Sequence, residues 1–212
     1  MRRSRYLHQS VGATTESDVE GTMSPEGLST THEDETMVEA LRILLAKEAI
    51  REVLQRYCRG VDRGDAELIK TVYHDDAIDE HGFFKGSGTE FADLIAAKKR
   101  AEAATSIHFL GNSLFDHVQG TRADVETYFI SFNEYLDSDA NHQLFAGRYL
   151  DTFEERDGEW RIVHRMVVHD WSTNIARRGQ GGDLEAIAVG DFPQGDWSPE
   201  DPVYEMIRAI EK

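Results

Sequence analysis

The sequence predicts an α+β domain in which a curved, mostly antiparallel sheet wraps over three helices. Three observations carry this. Val38, Leu41, Leu44, Leu45, Ala49, Ile50, Val53, Leu54 and Tyr57 recur at three- and four-residue steps, the apolar face of a long helix that starts at Met37. From Thr105 onward the pattern turns strand-like, over residues 106–117, 123–136, 142–155 and 160–171. The joints between those stretches carry turn chemistry, at Gln119-Gly120, residues 137–141 and Asp157-Gly158. Helices followed by a run of strands imply segregated layers rather than an alternating parallel sheet.

The other elements follow in order. Gly60 lies near the end of the first helix, and Asp65 reads as the N-cap of a short second one over residues 66–73. Residues 77–81 and 83–85 read as strands around Gly82, with His74, Asp75 and Asp76 as a polar turn before them. Thr89 opens a third helix over residues 90–103, with Phe91, Leu94, Ile95 and Ala101 turned inward. Residues 1–36 are rich in Ser, Thr, Glu and Gly without periodicity and read as a disordered or loosely held extension. The domain proper then covers residues 37–172. The tail, residues 173–212, starts with a Gly-rich hinge after Arg177-Arg178 and ends in an amphipathic stretch over residues 202–210. Its apolar positions, Leu184, Ile187, Phe192, Trp197, Val203, Met206 and Ile207, suit a lid over the cavity mouth or a subunit contact.

Composition narrows the function. The 212 residues suit one domain with tails. With 40 acidic against 23 basic side chains, the formal net charge is −17, which repels phosphate backbones and anionic membranes. Neither nucleic acid nor a membrane is an expected partner. One cysteine, Cys58, excludes an internal disulfide and a Cys-rich zinc site, and a cytoplasmic location is expected. The nine histidines show no pair at helical ligand spacing, and His164 and His169 fall on opposite strand faces, so no metal site is expected.

Four side chains are candidates for chemistry. Asp62, in Arg59-Gly60-Val61-Asp62-Arg63-Gly64-Asp65, reads by itself as a loop acid or cap. His108, in Ser106-Ile107-His108-Phe109-Leu110, shares a strand face with Ser106, Leu110, Asn112 and Leu114, where a single histidine is ordinarily a hydrogen-bonded core residue. Taken together they form a different device. An imidazole whose Nδ1–H is held by a carboxylate has a fixed tautomer and a more basic Nε2, suited to taking a proton from carbon. Arg165 shares a face with Val163, Val167 and His169 on the last strand; turned outward it makes a surface ion pair, turned inward it can hold a developing anion. Tyr57, at the end of the first helix, is either a packing residue or a donor to a leaving group or carbonyl oxygen. Asn112, Tyr149 and His169 complete the expected substrate-binding wall.

These strings resemble a known family. Gly60-Val61-Asp62, then Ser106-Ile107-His108-Phe109, then residues 153–162 with their Asp157-Gly158-Glu159-Trp160 turn are similar to the SnoaL-like group of the nuclear transport factor 2-like superfamily. That group contains hexachlorocyclohexane dehydrochlorinase, bile-acid dehydratase and scytalone dehydratase. The resemblance covers roughly residues 39–172. It implies a cone-shaped α+β barrel with the site inside, no metal or other cofactor, and a homo-oligomer, a trimer ahead of a dimer. It places Asp62 and His108 on the catalytic Asp–His dyad, and Arg165 on the arginine that contacts the leaving group in the dehydrochlorinase. Tyr57 falls where the bile-acid dehydratase has an active-site tyrosine. The second catalytic histidine of scytalone dehydratase has no counterpart that the sequence identifies.

The expected activity is a cofactor-independent, dehydratase-type elimination on a hydrophobic cyclic small molecule. A double-bond isomerase of the ketosteroid-isomerase kind uses the same proton abstraction, and a non-catalytic binding module would use Asp62 and His108 only to satisfy each other. The sequence leaves these three open.

Overall fold

The computed structural model describes residues 32–137, 141–176, 193 and 195–210. Helix α1 (His32–Asp62) begins five residues before Met37, with Glu33, Asp34 and Glu35 in its first turn complementing the helix dipole. Its inner face is buried only from Ala46 onward, through Ile50, Val53, Leu54, Tyr57 and Val61. The earlier part of the expected apolar face is not in the core: Val38 is 67% exposed, Leu41 53% and Leu45 61%. The helix outruns the sheet beneath it. Arg42, bonded to the Gly120 carbonyl at 2.6 Å, marks where the Gln119-Gly120 turn of the sheet ends.

Helix α2 (Ala66–Lys70) is capped by Asp65, which accepts from the Leu68 N–H. It stops short of Tyr73: Thr71 is its C-cap, still with helical dihedrals, and the β-branched Val72 and aromatic Tyr73 after it favour extended chain. Strand β1 (Tyr73–Glu80) therefore opens earlier than expected. His74 belongs to it rather than to a polar turn; it is buried, with Nε2 2.9 Å from the Glu154 carbonyl oxygen. Strand β2 (Lys85–Ser87) returns after a turn at Gly82 (φ +71°). Ser87 then caps α3 (Gly88–Glu102) in a reciprocal capping box with Glu90, two positions ahead of the expected opening at Thr89. Position 88 admits only glycine, since a Cβ there would lie 2.4 Å from the Tyr73 ring.

Four long strands follow: β3 (Ala103–Gln119), β4 (Arg122–Tyr135), β5 (His142–Arg156) and β6 (Glu159–Ile175). The six-stranded sheet has the order β2-β1-β6-β5-β4-β3 and does not close. All pairings are antiparallel except β1 with β6. Asp157 (φ +55°) and Gly158 (φ +81°) make the β5–β6 turn, the left-handed pair that matches strand twist. Helices α1 and α3 pack against the sheet, giving the open, cone-shaped α+β architecture.

Register shifts decide which side chains point inward. Between Leu110 and Ser113 a bulge breaks the β3–β4 ladder, and the alternation changes phase. Ser113 and Phe115 turn inward beyond it, while Asn112 and Leu114 turn out to solvent. The expected shared face of Ser106, His108 and Leu110 thus ends before Asn112. On β6 the ladder is unbroken from Arg165 to His169, so Arg165, Val167 and His169 keep the expected shared face; His169 lies exposed beyond the core, its ring 4.8 Å from Phe145 and its Nε2 3.0 Å from Ser172 Oγ.

The described end of the tail, including α4 (Pro202–Ile210), docks at the α1–α2 junction. Asp201 pairs with Arg63 at 2.9 Å, and the Tyr204 hydroxyl donates to Asp65 at 2.7 Å. Trp197 packs over Gly64, whose φ of +56° allows the tight turn. Leu184, Ile187 and Phe192 lie outside the described residues; Met206 is exposed.

At the centre, Arg165 on β6 and Asp151 on β5 stand directly opposite in register and make two parallel hydrogen bonds of 2.7 Å each. Both side chains are fully buried. The guanidinium lies between the Tyr57 and Tyr149 rings, 4.1 Å from each centroid. Burial alone would weaken its charge, yet the Asp151 carboxylate carries the net shift well upward, so Arg165 stays a cation. Asp151→Asn leaves that cation buried without its counter-charge. We expect a loss of about 3–5 kcal/mol of unfolding free energy, largely recovered in the double variant Asp151→Leu with Arg165→Met. Urea midpoints check this, and an Asp151→Asn protein as stable as the wild type would refute it.

Candidate active site

A cavity of about 210 Å³ lies between α1, α3 and the inner face of the sheet. Its apolar lining comes from Val61 on α1, Phe91 and Ile95 on α3, Phe129 on β4, Phe145 on β5 and Val167 on β6. Two imidazoles, His81 and His108, and the Tyr57 phenol interrupt that lining. Lys99, Ser131, Asn133 and Gln143 form a polar end.

Asp62, the last residue of α1, meets β3 here. Its Oδ1 lies 2.6 Å from His108 Nδ1, and its Oδ2 accepts the His108 backbone N–H at 2.8 Å. One carboxylate thus grips a single residue by side chain and backbone together. Ser106, two positions earlier on the same strand face, donates from Oγ to Oδ1 at 3.2 Å. Held this way, the ring carries its proton on Nδ1 and leaves Nε2 as the basic nitrogen on the cavity side.

His81 was not singled out in the sequence, though its signal was there. It follows β1, two residues after Asp79, and a two-residue step on extended chain puts both side chains on one side. His81 Nδ1 makes a very short hydrogen bond to Asp79 Oδ1, and the Tyr73 hydroxyl donates to Asp79 Oδ2 at 2.6 Å. The ring stacks on Phe91, 4.0 Å between centroids, and its Nε2 lies 3.1 Å from the Tyr57 hydroxyl. Burial pulls the His81 pKa below its ordinary value; Asp79 opposes the shift, and Arg165 and His108 add to it. Burial also lifts the Tyr57 phenol well above its usual range, against the pull of Arg165, so the phenol keeps its proton.

The remaining candidates lie elsewhere. Arg165 is not in the cavity wall; it sits in the layer behind Tyr57, bound to Asp151. Strand register, which no sequence pattern reveals, put a carboxylate opposite it. Tyr149 is also one layer back, stacked on Phe129 at 4.1 Å. Asn112 turns outward beyond the β3 bulge, and His169 lies exposed past the cavity, against Phe145. The described tail residues do not line this cavity either; Asp196 and Trp197 border a separate open cleft of about 260 Å³ on the far side of Asp62. Among the described residues no three His, Cys, Asp or Glu side chains are grouped to hold a metal ion, and no helix is long and apolar enough to cross a membrane.

The SnoaL-like domain model matches residues 42–166. No curated protein sequence matches the chain. Among solved structures, hexachlorocyclohexane dehydrochlorinase LinA type 2 superposes with a TM-score of 0.60 at 21% identity, covering 70% of this chain and 99% of that one. The LinA-type3 enzyme from Novosphingobium barchaimii gives 0.59 at 20% identity over 69% and 99%. A provisionally assigned scytalone dehydratase from Novosphingobium aromaticivorans gives 0.57 at 19% identity over 66% and 97%. At these identities the likeness is one of fold.

Lys99 was also missed, because a lysine near a helix end reads as a solvated charge. Here its amine donates to Ser106 Oγ at 2.9 Å and to Asn133 Oδ1 in a shorter contact. Burial pulls its pKa down to about 8, with Asp62 opposing the shift. Side-chain NMR of labelled lysines is expected to show one amine, absent in Lys99→Met, losing its proton near pH 8 while the exposed lysines stay charged. Co-titration of Lys99 with the others near the ordinary lysine value of ~10.4 would overturn that environment.

Proposed function

This chain belongs to the SnoaL-like family, and on that premise we propose that it is a cofactor-independent lyase acting on a small cyclic carbonyl compound. The observation that carries the reading is the double grip of Asp62 on His108 at the wall of an apolar cavity. His108 Nε2 is the base that removes a proton from the carbon next to the carbonyl. Asp62 fixes its tautomer and stabilises the imidazolium that forms. Tyr57 assists the leaving group, while Arg165, one layer back, supports Tyr57 rather than touching substrate. LinA-named neighbours are dehydrochlorinases, and base-driven elimination is the chemistry this dyad suits as well.

Size limits the substrate. An apolar cavity of ~150 Å³ accommodates a benzene ring, so about 210 Å³ suits one substituted ring rather than a sterol skeleton. The Lys99–Asn133 end offers donors for the carbonyl or enolate oxygen.

The test is turnover of β-hydroxycyclohexanone to cyclohexenone and water, followed by the enone absorbance. His108→Ala is expected to abolish it with the fold intact. Asp62→Asn keeps a hydrogen bond but loses the charge, and its rate should fall by about 10²–10⁴-fold. Conversion of the β,γ-unsaturated ketone, with no elimination of the hydroxy ketone, would make the protein an isomerase. Ring binding without any turnover would make it a binding module.

The outer sheet face bears exposed Ile107, Phe109, Tyr128 and Ile130, and α1 adds Leu41, Leu44 and Leu45. We infer that copies of the chain associate through these apolar surfaces, as a trimer. Light scattering is expected to give three times the mass of 24.0 kDa; a monomer at all concentrations would refute association.

A further inference from the structure

Two imidazoles in one cavity, each held at Nδ1 by a buried or near-buried aspartate, are more than proton abstraction requires. His108 has its Nε2 free for substrate. His81 has its Nε2 committed to the Tyr57 hydroxyl, and that hydroxyl belongs to a cavity-lining side chain. The chain of contacts runs Tyr73–Asp79–His81–Tyr57 without a gap. We infer that Tyr57 and His81 form a two-step proton relay that delivers the leaving group's proton, an inference that rests on the elimination reading above.

The tautomers make the relay directional. With Nδ1–H given to Asp79, a neutral His81 can only accept at Nε2, so it draws the Tyr57 proton away from the cavity. Once His81 is protonated, Nε2–H donates to the Tyr57 oxygen, and the Tyr57 O–H is released toward the ligand. In the step itself His108 Nε2 takes the C–H proton, and that electron pair becomes the C=C bond. The C–O pair departs with oxygen, which takes the Tyr57 proton and leaves as water. Tyr57 takes the Nε2 proton of His81. One positive charge on His81 at the start becomes one on His108 at the end, so the cavity's net charge does not change. Solvent exchange resets both rings.

The groups that bear on His81 come from every neighbouring element: Asp79 with Tyr73 behind it on β1, Tyr57 on α1, Arg165 on β6 and His108 on β3. Phe91 of α3 covers the ring face, and Lys98 and Lys99 border the same cavity. Burial first, then Arg165 and His108, hold His81 low, so the charged relay is a minority form at neutral pH and fills as pH falls. A hydroxyl leaving group should therefore lose rate as pH rises, an alkaline limb set by His81. A leaving group that departs as a stable anion, such as acetate, should show no such limb.

The experiment compares β-hydroxycyclohexanone with β-acetoxycyclohexanone for wild type, His81→Gln, Tyr57→Phe and His108→Ala. His81→Gln keeps a hydrogen-bonding group beside Tyr57 but cannot cycle a proton. It is expected to slow the hydroxy ketone by about 10²-fold or more, to remove the alkaline limb, and to change the acetoxy ketone only a few-fold. Tyr57→Phe should match it, and the double variant should be no worse than either. Equal losses on both ketones would make His81 a structural residue and overturn the relay while leaving His108 as base. Activity that survives His108→Ala would overturn the base instead, and no wild-type turnover of either ketone would overturn both. Imidazole nitrogen NMR of the resting wild type tests the relay without any substrate. The Nδ1–H tautomer of His81, gaining its second proton below the ordinary histidine range, is expected; an Nε2–H tautomer would refute the relay.

Discussion

The buried pair of Arg165 and Asp151 sets the positions of everything around the cavity. Two parallel hydrogen bonds tie β6 to β5, and the guanidinium plane holds Tyr57 on one side and Tyr149 on the other. Tyr149 in turn stacks on Phe129, which forms part of the cavity wall. Burying two charges costs several kcal/mol per ion, and here the pair's mutual attraction and two desolvated cation–π contacts of roughly 2 kcal/mol each oppose that cost. What the arrangement secures is position: the Tyr57 ring has one place to lie, and its hydroxyl reaches His81 from there.

The same device appears twice in the cavity, with different consequences. In both cases an aspartate accepts a hydrogen bond from Nδ1–H and thereby favours the tautomer with the proton on Nδ1. Asp62 uses its second oxygen on the backbone of the residue whose ring it holds, so the His108 side chain and strand β3 move together. Asp79 uses its second oxygen on Tyr73, a core residue of the same strand, so His81 is tied to the packing of α3 through Tyr73 and Gly88. One Nε2 is left for a ligand and the other is passed to a phenol. A single chemical arrangement thus leaves two imidazoles with different Nε2 partners in one cavity.

Backbone register, more than residue type, sorts candidates from bystanders. His108 and Asn112 are four residues apart on one strand, yet the bulge after Leu110 sends Asn112 out to solvent. His169 and Arg165 are also four apart on β6, but there the ladder is unbroken and both keep one face; His169 is exposed because it lies past the cavity, against Phe145. A Cβ at position 147 would lie 2.2 Å from the Val168 carbonyl oxygen, so the close strand approach there depends on glycine. Such bulges turn the sheet and end an inward face in the same stroke.

By itself the sequence determined the layer architecture and the main turn positions, because each rests on local signals; Asp62 and His108 it offered as separate candidates that only the family resemblance joined. Helical spacing along α1, the Asp157-Gly158 turn and the Gly60-Val61-Asp62 and Ile107-His108-Phe109 strings can be read without knowing what packs on what. Asp79 with His81 was legible too, as a two-residue step on a strand, but its meaning depended on Tyr57 arriving from a helix 24 positions away. Only the tertiary structure decided that Arg165 would spend its charge on Asp151, that Lys99 would turn to Asn133, and that the first turns of α1 would run past the core. Those outcomes follow from strand register and from where one element ends against another. Both are properties of the packed chain, set by long-range contacts that no local window contains.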